Sequence, residues 1–203
     1  MRKGLNQNHP KKGACIRVQP IRELEDIRLI KRNLDKQPRN LCLFTLGINT
    51  AYRANELLSL TVGQVAPLRA GDMLGLKQSK TGDFRATVVN GVAVNAIQDW
   101  LYHHPKAHEP DAPLFISGRR KHQPLTVPAV NHLVKRWSRE AGLSENYGSH
   151  TLRKTWGYHQ RMTNHASVAL LMKAFGHATE TQTLQYLGIL PQEVHDLYRS
   201  MEL

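Results

Sequence analysis

Hydrophobic residues recur along most of this chain at the three-to-four-residue spacing of amphipathic helices. Ile21, Leu24, Ile27 and Leu34 predict a first helix. Pro38 interrupts, and the apolar run from Leu41 to Ile48 predicts a second. Asn49 to Tyr52 breaks that run, and Ala54 to Leu60 predicts a short third helix with Leu57, Leu58 and Leu60 facing inward. The period then changes. Met73 to Leu76 and Ala86 to Val89 are short apolar runs flanking the polar stretch Lys77 to Arg85, and predict a β-hairpin turning near Thr81-Gly82-Asp83. Helical spacing returns from Val92 to His103, followed by a turn-rich loop to Pro113. Thr126 is placed to cap a helix from Pro128 to Ala141, with Val130, Leu133, Val134 and Trp137 on one face and Gly142 at its end. From there to Leu203 the pattern is helical, with breaks at Gly176 and at Gly188 to Pro191. The sum is a mainly α chain with a small antiparallel β-sheet, an α+β fold.

Residues 1–19 are basic, polar and without periodicity, and read as a flexible N-terminal arm, either a DNA-contacting tail or a plain terminus. No linker divides residues 20–203, which predicts one domain. A chain of 203 residues can close one substantial core. Charge narrows the partner: 28 Lys and Arg against 16 Asp and Glu leave a formal net charge of +12, which suits a polyanion, most often nucleic acid. The two cysteines, Cys15 and Cys42, have neither metal-ligand spacing nor a disulfide framework, as expected of a reducing cytoplasm. No apolar run reaches the length of a membrane span, and the basic N-terminus lacks the apolar stretch of a secretory signal. The expected setting is the cytoplasm, without a membrane partner.

The chemistry concentrates between Ser149 and Gly188, where His150, Arg153, His177 and Tyr186 stand at fixed spacings. His150 and Arg153, three residues apart, share one face of a helix. Imidazoles, a guanidinium and a phenol together suit a phosphodiester, and no carboxylate among them serves a divalent metal. No cofactor or metal is expected. His103, His104, His108 and Asp111 lack a ligand spacing and read as a solvated loop. Three more cations matter once a phosphodiester is considered. Arg53 follows a helix break and either projects into a cleft or pairs with Glu56 one turn on. Lys80 lies near the hairpin tip, either reaching into a groove or solvated. Lys154 points to a different helix face from Arg153, which suggests backbone phosphate or solvent rather than the reacting centre.

Four boxes in this order, TAYRANELLSL, SKTGDFR, SHTLRKT and AFGHATETQTLQYLG, resemble the catalytic domain of the tyrosine recombinase (phage integrase) family over about residues 20–190. The resemblance implies that fold, and roles at matching positions. Arg53 and Arg153 clamp the scissile phosphate, Lys80 is the hairpin lysine, His150 and His177 are the two histidines, and Tyr186 is the nucleophile. Charge accumulating on the phosphate oxygens is met by planar guanidinium donors. A phenol of pKa about 10 needs nearby cations and a base, for which His150 serves. Lys80, its pKa lowered among cations, would protonate the departing 5′-oxygen. His177 either bonds a phosphate oxygen or is a structural histidine. The family also implies double-stranded DNA as substrate, a 3′-phosphotyrosyl intermediate, self-association in a tetrameric synapse, and a bacterial or phage origin.

Two other tyrosines compete for the nucleophile role: Tyr158 reads as packed within its helix, and Tyr198 as an apolar packing contact. The spacing between Arg153 and His177 is one residue longer than usual for the family, absorbed in RMTNHAS. The separate core-binding domain that most members carry before this one is not expected. Lys135, Arg136, Arg139 and Lys154 are the expected DNA-contacting residues, with Asn131 and His132 also on the helix from Pro128 to Ala141 that is placed for groove contact. The helix formed by Val194, Leu197, Met201 and Leu203 docks either on a neighbouring protomer, as the resemblance implies, or on its own core. Two other functions fit the pattern: an inactive DNA-binding regulator of the same fold, and a relaxing topoisomerase using the same phenol chemistry.

Overall fold

The computed structural model describes residues 18–77, 84–118, 123–188, 195–196 and 198–200. Its order is α1 (Leu24–Asn33), α2 (Pro38–Gly47), α3 (Ala54–Leu58), α4 (Val62–Val65), β1 (Met73–Lys77), β2 (Phe84–Val88), α5 (Gly91–His103), α6 (Val127–Glu140), α7 (Ser149–Met162), α8 (Val168–Phe175) and α9 (Glu180–Leu187). The fold is therefore helical with one two-stranded antiparallel sheet, as the periodicity predicts. Two details differ. Pro38 does not interrupt α2 but opens it, at the position where a missing N–H costs nothing and a fixed φ favours the helix. The additional helix α4 starts at a capping box: Gln64 N donates to Thr61 Oγ1 at 3.4 Å, and Thr61 N donates to Gln64 Oε1 at 2.9 Å.

The main core gathers around α2, whose Leu43, Phe44 and Leu46 are fully enclosed by α1, α5 and α6. Phe44 meets Trp137 of α6 edge-on, with ring centroids 6.0 Å apart. Thr126 caps α6 as expected, accepting from Ala129 N. A second, smaller cluster stands apart: Ala51, Leu171, Phe175 and Leu187, with Trp156, Ala166 and Tyr186 packed against it. It joins α7, α8 and α9. Gly157 of α7 makes this packing possible, since a Cβ there would collide with the Phe175 ring and come within 3.2 Å of Leu187. Gly176 and Gly188 end α8 and α9 in left-handed conformations, φ 63° and 70°, which glycine adopts at little cost.

The sheet is pinned beside the α2–α3 turn, because the buried Tyr52 hydroxyl donates to Leu74 O of β1 at 2.6 Å. Its register runs from Met73 opposite Val88 to Lys77 opposite Phe84. The predicted turn at Thr81-Gly82-Asp83, and Lys80 with it, lie outside the described residues, as do residues 1–17 of the basic arm. The segment before α1 hangs on α7: Ile21 N donates to Thr155 Oγ1 at 2.9 Å, and His159 Nε2 donates to Ile21 O at 3.0 Å. Among the described residues no helix is long and apolar enough to cross a membrane.

Two expectations from the sequence need correction here. His104 is not solvated. It is buried against Trp100, its Nε2 donates to Pro113 O at 3.2 Å, and its Nδ1 accepts from Lys106 N at 3.1 Å. Both ring nitrogens are engaged by backbone, so it is a structural histidine. Tyr198 is not packed on this chain, being 82% exposed. Val194, Leu197, Met201 and Leu203, the apolar stripe of that segment, lie outside the described residues.

Candidate active site

Helix α7 is the platform. Its start is fixed by two side chains: Thr151 Oγ1 accepts from Gly148 N at 3.0 Å, and Asn131 Oδ1 from α6 accepts from Ser149 N at 3.1 Å. Asn131, expected to face a groove, is thus used inside the protein. Along α7, His150, Arg153, Lys154 and Gly157 follow the 3-4-7 spacing of a single helix face. That face meets α9.

Thr179 caps α9 by accepting from Gln182 N. Seven residues after Thr179, α9 presents Tyr186, whose hydroxyl lies 3.3 Å from His150 Nδ1. The phenol ring is bracketed by His177 and Phe175, with centroids 5.2 and 5.1 Å away. His177 follows the left-handed Gly176, stacks on Phe175 at 5.0 Å, and sets Nδ1 3.0 Å from Thr183 Oγ1. The four residues of the Ser149–Gly188 stretch therefore converge on one point.

Arg53 arrives from the opposite side. It caps α3 after a turn in which Ala51 takes φ 56°, a left-handed conformation that costs a non-glycine residue about 1–2 kcal/mol. Of the two readings of Arg53, the pairing with Glu56 is observed, at 3.1 Å, with the side chain 35% exposed. The other carboxylate oxygen of Glu56 accepts from Arg53 N and lies 3.6 Å from Arg153 Nη1. Glu56 is 8% exposed and Arg153 1%, so one buried carboxylate aligns two guanidiniums. Arg153 also donates to Phe175 O and lies 4.9 Å over the Phe175 ring. Sequence reasoning left Glu56 as a surface partner. The signal that identifies it is its one-turn spacing from Arg53 on a helix too apolar to leave it solvated.

Lys154 also departs from expectation. It is 7% exposed, and Nζ stands 5.0 Å from the Tyr186 ring centroid rather than at the DNA-facing surface. Lys154 lies one turn from His150, so it flanks the same stripe as Arg153 despite the turn of about 100° between neighbours. Lys135, Arg136 and Arg139 are exposed on α6, with Arg136 3.6 Å from Glu140.

The electrostatics follow from the crowding. Partial burial of its ring, then the positive charges of Arg153, Arg53 and Lys154, lower the pKa of His150 below the usual histidine value. The imidazole is therefore neutral at pH 7 and able to accept a proton from the phenol. Two guanidiniums aligned by one carboxylate, an imidazole and a phenol in reach of it thus stand together, a set able to bind an oxyanion beside a hydroxyl nucleophile.

The chain is similar to proteins of known sequence and fold. The phage integrase family pattern matches residues 22–193. The chain is 33% identical over 175 residues to the probable integrase/recombinase YoeC of Bacillus subtilis, covering 85% of this chain and 90% of that one. It is 25% identical over 170 residues to the tyrosine recombinase XerC of Nitrobacter winogradskyi, covering 82% of this chain but 52% of the relative, about half its length. In fold it resembles the XerA recombinase, with a TM-score of 0.74 at 16% identity over 90% of this chain and 65% of that one. The XerH recombinase bound to its palindromic difH substrate in a post-cleavage complex gives 0.71 at 22% identity, over 87% of this chain and 51% of that one. The chain belongs to the phage integrase family and has the fold of a tyrosine recombinase catalytic domain. It is a tyrosine recombinase by family.

Proposed function

We propose that this chain cleaves and rejoins double-stranded DNA at specific sites through Tyr186. The observation that carries the reading is the phenol of Tyr186, 3.3 Å from a neutral His150 and beside two guanidiniums held by one carboxylate. In the cleavage step the Tyr186 oxygen attacks the scissile phosphorus. The bond from phosphorus to tyrosine forms as the bond to the 5′-oxygen breaks. The phenol proton passes to His150, and the 5′-oxygen takes a proton from Lys80, the acid that the family resemblance assigns. Arg53 and Arg153 meet the charge on the non-bridging oxygens, a contribution worth about 10²–10³ in rate per donor at comparable sites. His177 orients a phosphate oxygen or the tyrosine itself. One diester replaces another, so the bond energy is kept and a second 5′-hydroxyl reverses the step without ATP.

Lys135, Arg136 and Arg139 line the duplex backbone in this reading, and the exchange takes place in a tetramer on DNA, in the cytoplasm of a bacterium or in a phage-infected cell. The XerH site-specific recombinase, one of the fold's neighbours, is known bound to its palindromic difH substrate in a post-cleavage complex.

The test is a library of nicked duplexes with a randomised core, incubated with the protein in EDTA. The nick lets the short downstream strand diffuse away and traps the covalent complex. Sequencing the trapped strands reveals the target. The expected result is an enriched adduct that Tyr186→Phe abolishes while DNA binding persists. No adduct from the wild type would sink the enzyme reading, and an adduct surviving Tyr186→Phe would sink the nucleophile assignment.

A further inference from the structure

Of the three polar side chains on the reacting face of α7, His150, Arg153 and Lys154, the last is the one to which neither sequence nor family gives a role in the chemistry. A lysine meant for DNA phosphate stays at the surface, where its ammonium keeps its water until the duplex arrives. Lys154 is instead 7% exposed, with Nζ 5.0 Å from the centre of the Tyr186 ring. Taking an ammonium out of water is costly, and the negative face of an aromatic ring offsets part of that cost.

We propose that Lys154 is a positioning residue for the nucleophile: its ammonium, seated on the Tyr186 ring, holds the ring against His150 and favours the phenolate over the phenol. The inference rests on Tyr186 being the nucleophile. When the phenol proton leaves for His150, the ring goes from neutral to a full negative charge. An ammonium at this distance gains an attraction it lacked in the ground state, and the Arg153 guanidinium 5.7 Å from the same centroid adds to it. An interaction stronger in the reacting state than before it accelerates the reaction.

The same geometry excludes another role. In an in-line displacement the leaving oxygen departs opposite the entering one. An ammonium on the ring of the entering phenol is on the wrong side to protonate the 5′-oxygen, so Lys154 does not replace Lys80. In the reverse step the phenolate is the leaving group, and Lys154 assists its departure.

Lys154→Met keeps the length of the side chain and removes the charge. Adduct formation on the trapped substrate should slow about tenfold at pH 7, the effect of one pK unit, with the deficit narrowing as pH rises. Lys154→Arg should recover most of the rate. The DNA dissociation constant and its salt slope should be unchanged. A deficit equal at every pH, with a salt slope shallower by about one, would identify a phosphate contact and overturn the proposal. An unchanged rate would overturn it too. A second measurement needs neither DNA nor a folded Lys154→Met protein. In the wild type, the Lys154 Cε protons should be shifted upfield by the Tyr186 ring and return to ordinary values in Tyr186→Leu. A Lys154 signal indifferent to that change would sink the proposal, whereas a wild type that forms no adduct sinks the recombinase reading instead.

Discussion

His150 Nδ1 and the Tyr186 hydroxyl are 3.3 Å apart across 36 residues of sequence. The contact links the first turn of α7 to the last turn of α9, so it forms only when α8 and α9 have folded back over α7. It also sets a pH dependence. The His150 pKa lies below 6.5, through partial burial first and then the charges of Arg153, Arg53 and Lys154. The imidazole therefore holds its proton less readily than a free histidine does.

The acid limb of the cleavage rate should have its midpoint below about pH 6.5, the free-histidine value. His150→Ala should slow cleavage and remove that limb. Between the folded and unfolded pKa values the unfolded chain binds more protons, so the stability linked to His150 is present above the unfolded value and is lost as pH falls through the folded one. Unfolding in urea at a series of pH values should show this slope in the wild type and a flatter one in His150→Ala.

Glu56→Gln should cost about 3 kcal/mol of stability, because it leaves Arg153 buried without the carboxylate that faces it. The midpoint of denaturant unfolding reads the effect. Cleavage should fall further than stability explains, since both guanidiniums lose the group that aligns them. Glu56→Gln with wild-type stability and rate would remove Glu56 from the site.

Gly157→Ala puts a methyl group where the Phe175 ring lies and should cost roughly 1–3 kcal/mol of overpacking. The damage should be local. Amide exchange in α8 and α9 should quicken while exchange in α2 and α5 stays slow. Uniform quickening would mean that α8 and α9 unfold only with the whole domain.

Arg22 ties down the far end of the tyrosine helix, donating to Gly188 O at 2.9 Å and to Gln19 Oε1 at 3.1 Å while it pairs with Glu145 at 3.2 Å. Arg22→Ala should quicken exchange at Thr183 to Leu187 and lower the cleavage rate severalfold, with little change in affinity for DNA. Arg22→Lys should restore part of the rate. An unchanged exchange pattern would show that packing alone holds α9.

The sequence was most legible where structure is local. Thr126, Gly142, Gly176 and Gly188 mark helix ends because caps and left-handed turns are written in single residues. Spacing put His150 and Arg153 on one helix face, and the family resemblance implied that His177 and Tyr186 join them. What escaped depends on tertiary contact. Lys154 was assigned outward because it neighbours Arg153, but α9 covers both. Asn131 was given to DNA because it sits on a basic helix, but the start of α7 needs an acceptor there. Glu56 looked like half of a surface pair until the apolar surroundings of α3 enclosed it. His104 seemed solvated because its loop is rich in proline, yet Trp100 lies against it.

The small cluster around Phe175 has its own consequence. Tyr186 is anchored to it and not to the main core, and only Ala51 reaches it from the Arg53 turn. Lifting α9 away would break that cluster, the contacts of Tyr186 with α7 and the Arg22–Gly188 hydrogen bond, but none of the packing among α1, α2, α5 and α6. Undocking the tyrosine would therefore leave both arginines on a scaffold whose own core is intact. The tyrosine thus rides on the smaller and more separable of the two packed units, and the arginines' carboxylate Glu56 belongs to α3, outside it.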